Sequence, residues 1–407
     1  METETIDNLG PADLVIGLLE ATREEDTRSG LVLTREALSG LPDIQRAVLI
    51  CRNGAAPAVP EPSPDQPSVV LYNLHPPAAA EAPLEAITTA YRSVLGYGEK
   101  LDARACGIVA SSPRSLTPQW IRRLVQPIVE LGFDLVSPRY PRHRMEGLLN
   151  RGILSPLFRA LYGEHLQNPL GPDFGLSGRL LRQLLENDTV PRHAGASVVV
   201  SIASLAARSG FAICESSLGG RNQLSIDGLN LSSLLAQVLG PVFLDMERQA
   251  AFWQRIRASR PVPRFGSESA AAADEPGTVE IGQMIESFQL GSRNLGDVWG
   301  AVLPPSTLFE LRKLSQLPAA QFRMPDDLWV RIVYDFVLGH RLHNISRDHL
   351  LRSITPLYLG WIASYALELE SAAPPDVEAR LERLAVAFET GKPYLVSRWR
   401  WPDRFNP

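Results

Sequence analysis

Short aliphatic runs alternate with helix-length amphipathic segments through the first third of this chain, and that alternation constrains the fold most. The runs that read as strands cover 13–19, 46–51, 69–72, 106–110 and 134–137. Helical spacing of apolar residues predicts helices over 28–39, 83–96 and 118–132, the last capped by Thr117. Because parallel strands need a long crossover between them, this spacing predicts βαβ units in a mostly parallel sheet.

The rest of the chain divides at a stretch rich in Pro, Ser, Ala and acidic residues, which is typical of a linker. Before it, the pattern predicts a helix over 198–209, a strand over 211–214 and a long helix over 231–258. After it, helix-length segments follow one another. We therefore predict an α/β domain over 11–258, a linker over 259–277 and an all-helical domain over 278–402.

Composition narrows the class of protein. A net charge of −5 over 407 residues gives no reason to expect nucleic acid or an anionic membrane as partner. The sequence shows neither a signal peptide nor an apolar run long enough for a membrane span. Cys51, Cys106 and Cys214 stand in apolar runs without zinc-site spacing, so we expect buried, reduced thiols and a cytoplasmic protein.

Three groups of motifs occur in order along nearly the whole chain. The first pairs Ser115-Leu-Thr-Pro-Gln-Trp120 with Ser137-Pro-Arg-Tyr-Pro-Arg-His143. The second runs from Pro156-Leu-Phe-Arg-Ala-Leu-Tyr-Gly163 into Asn168-Pro-Leu-Gly-Pro-Asp-Phe-Gly-Leu-Ser-Gly178. The third pairs 328–336 with 356–360. In combination they resemble bacterial and archaeal mannosylglycerate and glucosylglycerate synthases.

This resemblance implies a GT-A glycosyltransferase fold with a helical C-terminal domain. Such enzymes transfer a hexose from a nucleoside-diphosphate sugar to a small hydroxy acid such as glycerate, with retention of configuration. The resemblance also implies Mg²⁺ or Mn²⁺, held by an Asp-X-Asp motif after a central strand, which neutralises the diphosphate leaving group.

The sequence departs from this family at the metal site. Where the Asp-X-Asp motif would fall, the chain has Ala110-Ser111-Ser112, and Arg52 follows the strand after which an Asp is expected. Asn222 and Gln223 stand where a metal-binding His would fall. Hydroxyl groups are poor ligands for Mg²⁺, so we name no metal ligand and no cofactor. Arg52, Ser111 and Ser112 are the candidates for contact with the nucleotide diphosphate.

On the acceptor and sugar side of the implied pocket, the chain keeps the residue types of the family. The resemblance assigns the acceptor and sugar pocket to Arg139, Tyr140, Arg142, His143, Gly171 and Asp173. Arginine side chains bind carboxylate and phosphate through paired hydrogen bonds, and an aspartate accepts hydrogen bonds from sugar hydroxyls. The alternatives without a ligand are a solvated basic loop for Arg139, Arg142 and His143, and a turn or helix-cap role for Asp173.

Two functions stay open. One is a divergent sugar transferase in which Arg52, Arg23 or Lys100 replaces the metal beside the departing diphosphate. The other is an inactive scaffold that binds a ligand, forms a homo-oligomer or pairs with an active relative. In the helical part, Trp329, Tyr334 and Phe336 are spaced like helix core, and we expect surface or cap roles for His340, His343 and His349.

Overall fold

The computed structural model describes residues 10–41, 43–52, 67–74, 83–111, 115–186, 197–220, 230–267, 280–370 and 373–402. The strands, in chain order, are β1 (Leu14–Leu18), β2 (Arg46–Cys51), β3 (Ser68–Asn73), β4 (Ala105–Val109), β5 (Leu135–Arg139), β6 (Glu164–His165), β7 (Phe174–Ser177), β8 (Ile213–Ser217), β9 (Arg260–Pro261) and β10 (Arg264–Phe265).

The α-helices up to residue 253 are α1 (Glu24–Leu38), α2 (Pro83–Lys100), α3 (Pro118–Val129), α4 (Ser155–Tyr162), α5 (Gly178–Glu186), α6 (Ser197–Arg208), α7 (Leu231–Arg248) and α8 (Ala250–Trp253). Those after it are α9 (Ile281–Asn294), α10 (Gly296–Gly300), α11 (Pro305–Leu314), α12 (Asp326–Leu342), α13 (Arg347–Ser353), α14 (Thr355–Glu368) and α15 (Pro374–Arg400). The predicted α/β fold with a C-terminal helical region is confirmed.

The chain forms two compact units. The first contains Met1–Pro141, Leu166–Ser225 and Pro261–Ala272, and the second contains Arg142–His165, Ile226–Arg260 and Ala273–Pro407. The domain bounds predicted from the sequence stay a prediction. They assign 142–165 and 226–258 to the α/β domain, whereas these residues belong to the second compact unit. Within the predicted linker, Arg264–Phe265 adds a short parallel strand beside β8.

The first unit is built on an eight-stranded sheet in the order β10-β8-β5-β7-β4-β1-β2-β3. The strands are parallel except β7, which runs antiparallel between β4 and β5. β2 has the bounds that its aliphatic run predicts, and Thr117 caps α3 by accepting from the amide of Trp120 at 3.2 Å. The side chains of β1, β2 and β4 are buried almost throughout, as expected for a sheet covered by helices on both faces.

β7 is the longest of the strands that sequence periodicity missed, and Gly175 within it and Gly178 directly after it explain how it fits. A Cβ built on Gly175 would lie 2.0 Å from the carbonyl oxygen of Leu124, and one on Gly178 would lie 2.3 Å from that of Ala103. The backbone of this segment therefore packs directly against neighbouring backbone. The close approach that these glycines permit is made to the chain itself.

The second unit is helical and is organised around long buried helices. Trp329, Tyr334 and Phe336 on α12 are each 0% exposed, which confirms the prediction that they form helix core. Trp329 stacks on Trp361 of α14 at a centroid distance of 5.7 Å. None of the helices described here combines the length and the apolar composition that crossing a bilayer requires.

The three cysteines are free and buried, as predicted. Burial raises the pKa of each thiol, to about 12 for Cys106. Neutral thiols of this kind are poor nucleophiles and poor metal ligands, so they serve as small core residues.

One histidine does not lie where the sequence predicts. His343 ends α12 in a left-handed conformation with φ 56°, and His349 is exposed, but His340 is only 3% exposed. Its ring packs edge to face on Phe243 at 5.7 Å. Helical periodicity misassigned His340 because α12 is covered on more than one side.

We expect the second unit to lose stability in acid through His340. Burial, helped by Arg347 and His343, lowers the pKa of His340 to about 4. The folded state then binds fewer protons than the unfolded chain between that value and the ordinary value of about 6.5, so stability is lost as pH falls. Denaturant unfolding should show a loss of about 2 kcal/mol between neutral pH and pH of about 4.5. His340→Phe should flatten this dependence, whereas the exposed His349→Phe should not.

Candidate functional site

Ligands of parallel sheets bind outside the carboxyl ends of the strands, so the candidate site of the first unit is expected at that edge. β1, β2, β4, β5 and β8 all end there, and the antiparallel β7 begins there. The residues that this edge brings forward are Arg52 after β2, Ala110 and Ser111 after β4, Tyr140 after β5 and Asp173 before β7.

Asp173 is the centre of this edge. Its Oδ1 accepts from the amide of Ala110 at 2.8 Å, and its Oδ2 accepts from the Ser111 hydroxyl at 2.9 Å. The Tyr140 hydroxyl also donates to Oδ2. The residue is 0% exposed. One carboxylate therefore ties together the ends of β4 and β5 and the start of β7, a group of charge-assisted bonds of the stronger kind.

Ser111 and Tyr140, both predicted as ligand contacts, share this carboxylate. Ser111 is 1% exposed and Tyr140 is 5% exposed, with the Tyr140 ring 5.8 Å from that of Trp120. Their assignment to nucleotide and acceptor stays a prediction, as does the assignment of sugar hydroxyls to Asp173. Ser112, the third residue of this motif, lies outside the described residues.

Arg139 is neutralised by an acid that sequence reasoning missed. Its Nη1 lies 3.0 Å from Oε2 of Glu215, and the two side chains are 15% and 1% exposed. Oε1 of Glu215 accepts from the amide of Gln167 at 2.5 Å, and Nε of Arg264 lies 3.6 Å from Oε2. Glu215 directly follows the predicted strand 211–214 and lies inside the observed buried strand Ile213–Ser217. A charge at this place was the available signal, because buried charges are normally paired.

Arg52 differs from the other cations of this edge. It is half-buried, and its Nη1 reaches only the carbonyl oxygen of Leu19, at 3.4 Å. Within the described ranges no carboxylate forms an ion pair with it. By contrast, Arg23 lies 3.1 Å from Asp26. Arg52 is therefore the cation whose charge is best available to an anionic ligand here.

Two alternatives to Arg52 are weakened by their positions. Arg23 caps α1, whose first turn carries Glu24, Glu25 and Asp26 and so repels a diphosphate. Lys100 ends α2, and the next residue accepts from the amide of Ala12 at 3.0 Å just before β1 begins. Lys100 therefore lies at the amino edge of the sheet, so the hypothesis that it stabilises a diphosphate at the carboxyl edge is wrong.

The predicted basic cluster divides between the units, since Arg139 and Tyr140 belong to the first and Arg142 and His143 to the second. In the second unit, the His143 amide donates to Glu146 at 2.9 Å and its carbonyl accepts from Arg151 at 3.3 Å. These bonds give His143 the role of a turn residue. The ligand-binding assignments of Arg142 and His143 stay predictions.

Gly171 is required by packing in the first unit. A Cβ there would lie 2.5 Å from Cγ of Pro138, and its amide donates to the carbonyl of Asn168 at 3.0 Å. Asn168 is 0% exposed; its side chain donates to the Pro138 carbonyl at 2.8 Å, and its carbonyl accepts from the Ser137 hydroxyl at 2.9 Å. These bonds fix the approach of the chain to Asp173.

The residues at the end of β4 do not fit the divalent metal that the family resemblance implies. The donors there are the Ser111 hydroxyl and the Asp173 carboxylate, and the latter already accepts from an amide and two hydroxyls. In the part of the chain that the structure describes, no three His, Cys, Asp or Glu side chains form a metal-binding group. Mg²⁺ and Mn²⁺ favour several oxygen ligands in open coordination, which this closed carboxylate does not offer.

No family model matches the chain, and no curated protein is significantly similar to it. Among solved structures, it is similar to glucosyl-3-phosphoglycerate synthase from Mycobacterium tuberculosis in complex with Mn²⁺, UDP-glucose and phosphoglyceric acid. That likeness has 18% identity and a TM-score of 0.37, and it covers 59% of this chain and 80% of that chain.

Two further solved structures are similar to the same degree. A mycobacterial protein matches at 22% identity and a TM-score of 0.37, over 61% of this chain and 80% of that one. Mannosyl-3-phosphoglycerate synthase from Rubrobacter xylanophilus matches at 14% identity and a TM-score of 0.34, over 66% and 79%. The chain thus resembles the GT-A glucosyl- and mannosyl-3-phosphoglycerate synthases, and with TM-scores this low the likeness assigns no role to any residue.

Proposed function

We propose that this chain is a glycosyltransferase-type protein that binds a nucleotide sugar or sugar acid without a divalent metal and has lost metal-assisted hexosyl transfer. The observation that carries this proposal is the enclosure of Asp173. This carboxylate, which accepts from the amide of Ala110 at the end of β4, is 0% exposed and holds the backbone in place. A diphosphate bound here would lack the cation that normally neutralises the leaving group.

A second candidate is a metal-free transferase, and Arg52 is the observation that favours it. Its guanidinium follows β2 and has no ion-pair partner among the described residues. A positioned arginine can stabilise a departing diphosphate through bidentate hydrogen bonds. A partner role, with an active relative or as a homo-oligomer, is the remaining reading of an inactive scaffold.

Calorimetric titration with UDP-glucose, with and without Mn²⁺, tests these functions. We expect binding that does not depend on Mn²⁺ and that Arg52→Ala weakens about tenfold or more, the effect of losing one charge-assisted phosphate contact. The matched control is Arg28→Ala, which removes an exposed arginine of α1 paired with Glu24 at 2.9 Å. That control should bind like the unaltered protein.

The outcomes of the titration distinguish the proposed functions. Mn²⁺-dependent binding with glucose transfer to phosphoglyceric acid would overturn the proposal. Metal-independent transfer that Arg52→Ala abolishes would favour the second candidate. Absence of binding under every condition would overturn both ligand-binding readings and leave the partner role, which co-purification with a related transferase would test.

A further inference from the structure

The second unit contains a cleft that the proposed function does not use. It is lined by the segment Gln254, Ile256 and Arg257 and by the last turns of α15, including Lys392, Arg400 and Trp401, and its volume is about 360 Å³. All of these residues belong to the second unit. Three of the ten residues that line the cleft are cations, against one acid, Glu389, in a chain whose net charge is negative.

Lys392 is held at the base of this cleft. It is 7% exposed, and its Nζ donates to the carbonyl oxygens of Ala160 at 2.8 Å and Ile256 at 2.9 Å. An ammonium group has three donors, so this geometry leaves one of them for a further acceptor. The two carbonyls fix the direction of the group and reduce the entropy that a ligand contact would cost.

Like charges meet around this lysine. Arg257 is exposed and, within the described part of the chain, forms no ion pair, and its charge acts on Lys392. The acid in the cleft, Glu389, is already 3.0 Å from Arg159 and accepts from Ser259. Arg400 reaches the Gln254 side chain at 3.3 Å, which leaves its charge unneutralised by that contact.

The mouth of the cleft carries an aromatic ring on a fixed backbone. Trp401 is 73% exposed, although its amide donates to the carbonyl of Ser397 at 2.9 Å. The preceding turn is anchored because Trp399 packs on Trp253 at 5.1 Å and beneath Arg341 at 4.3 Å. An exposed indole beside cations can stack on a flat ligand group.

We propose that this cleft binds a small phosphate monoester, whose phosphate is received by Arg257, Lys392 and Arg400 and whose base or sugar ring stacks on Trp401. Several cations around one cleft suit a dianionic phosphate better than a single carboxylate. Lys392 supports this reading, since burial and the nearby Arg257 lower its pKa to about 8 while Glu389 opposes that effect. An anion that pairs with Lys392 would raise that pKa again.

The test uses the full chain and three probes: inorganic phosphate, ribose 5-phosphate and AMP. We expect AMP to bind more tightly than inorganic phosphate, and Arg257→Ala or Arg400→Ala to weaken both about five- to tenfold. Trp401→Ala should weaken AMP binding and leave inorganic phosphate unchanged. Arg255→Ala is the matched control, because Arg255 is an exposed arginine in the same segment that does not line the cleft.

A second readout reports on Lys392 without altering it. Near pH of about 8, binding should take up protons, seen as a dependence of the calorimetric heat on buffer ionisation enthalpy. Arg257→Ala should reduce this uptake, because it removes one cation acting on Lys392. Glu389 also acts on Lys392, Arg159 pairs with Glu389, and Arg400 lines the same cleft; all three stay in place.

Several outcomes would overturn the proposal. These are no binding of AMP or phosphate at concentrations of about 10 mM, equal weakening by Arg255→Ala and Arg257→Ala, or binding without proton uptake. AMP binding that is lost in Arg52→Ala but kept in Arg257→Ala would place it in the first unit. Anionic lipid vesicles that bind through Trp401 while AMP does not would replace the soluble phosphate by a lipid headgroup and overturn it as well.

Discussion

Replacing Asp173 by alanine is expected to lower the free energy of unfolding by about 3–5 kcal/mol, because it leaves several buried donors without an acceptor. These donors are the amide of Ala110 and the hydroxyls of Ser111 and Tyr140. Asp173→Asn keeps the shape but turns one acceptor into a donor, so we expect a smaller loss of about 1–3 kcal/mol. Urea unfolding of each variant measures the effect.

The control is Asp102→Asn, whose side chain is 78% exposed, and its unfolding should change by less than about 0.5 kcal/mol. The same series tests the sugar-binding prediction for Asp173. If Asp173→Asn unfolds like the unaltered protein yet loses ligand binding, the carboxylate serves the ligand and not the enclosure of this edge. The losses of unfolding free energy in Ser111→Ala and Tyr140→Phe should not be additive in the double variant, because both hydroxyls donate to the same oxygen.

The second large effect is expected in the helical unit, where Arg398→Met should cost about 3–5 kcal/mol. Nη1 of Arg398 lies 2.7 Å from Asp335, and the two side chains are 5% and 0% exposed. The Tyr394 hydroxyl lies 2.9 and 3.0 Å from the two oxygens of Asp335. Removing Arg398 leaves this carboxylate buried without its counter-charge.

Two further variants identify why Arg398→Met loses stability. The double variant Asp335→Leu with Arg398→Met removes both charges and should recover most of the lost stability. Arg383→Met breaks an ion pair whose arginine is 60% exposed and should change stability by less than about 1 kcal/mol. A double variant as unstable as Arg398→Met would show that packing, rather than the unpaired charge, carries the cost.

The destabilisation of Arg398→Met should also depend on pH in a definite direction. Burial raises the pKa of Asp335, and Arg398 opposes that effect. Without Arg398 the folded state holds a proton that the unfolded chain does not, so stability falls as pH rises through the folded pKa. Unfolding measured near pH of about 5 and about 8 should therefore show the larger loss at the higher pH.

The sequence predicted most of the regular elements of the first unit, because local patterns carry them. Arg46–Cys51 and the Thr117 cap of α3 depend on residues within a few positions of each other. β7 could not be predicted in this way, since Phe174–Ser177 is four residues long and contains a glycine in place of an alternating pattern. Its antiparallel place between β4 and β5 depends on backbone packing against distant carbonyls.

The sequence by itself determined that no carboxylate directly follows β4 at Ala110 and Ser111, and that parallel strands bring their carboxyl ends to one edge. Only the tertiary structure decided which charges remain there. Asp173 turns onto Ser111, 62 positions away, and Arg139 is neutralised by Glu215, 76 positions away, while Arg52 meets only a carbonyl oxygen. Such pairings follow from strand order and side-chain direction, which bring together residues that no local periodicity relates.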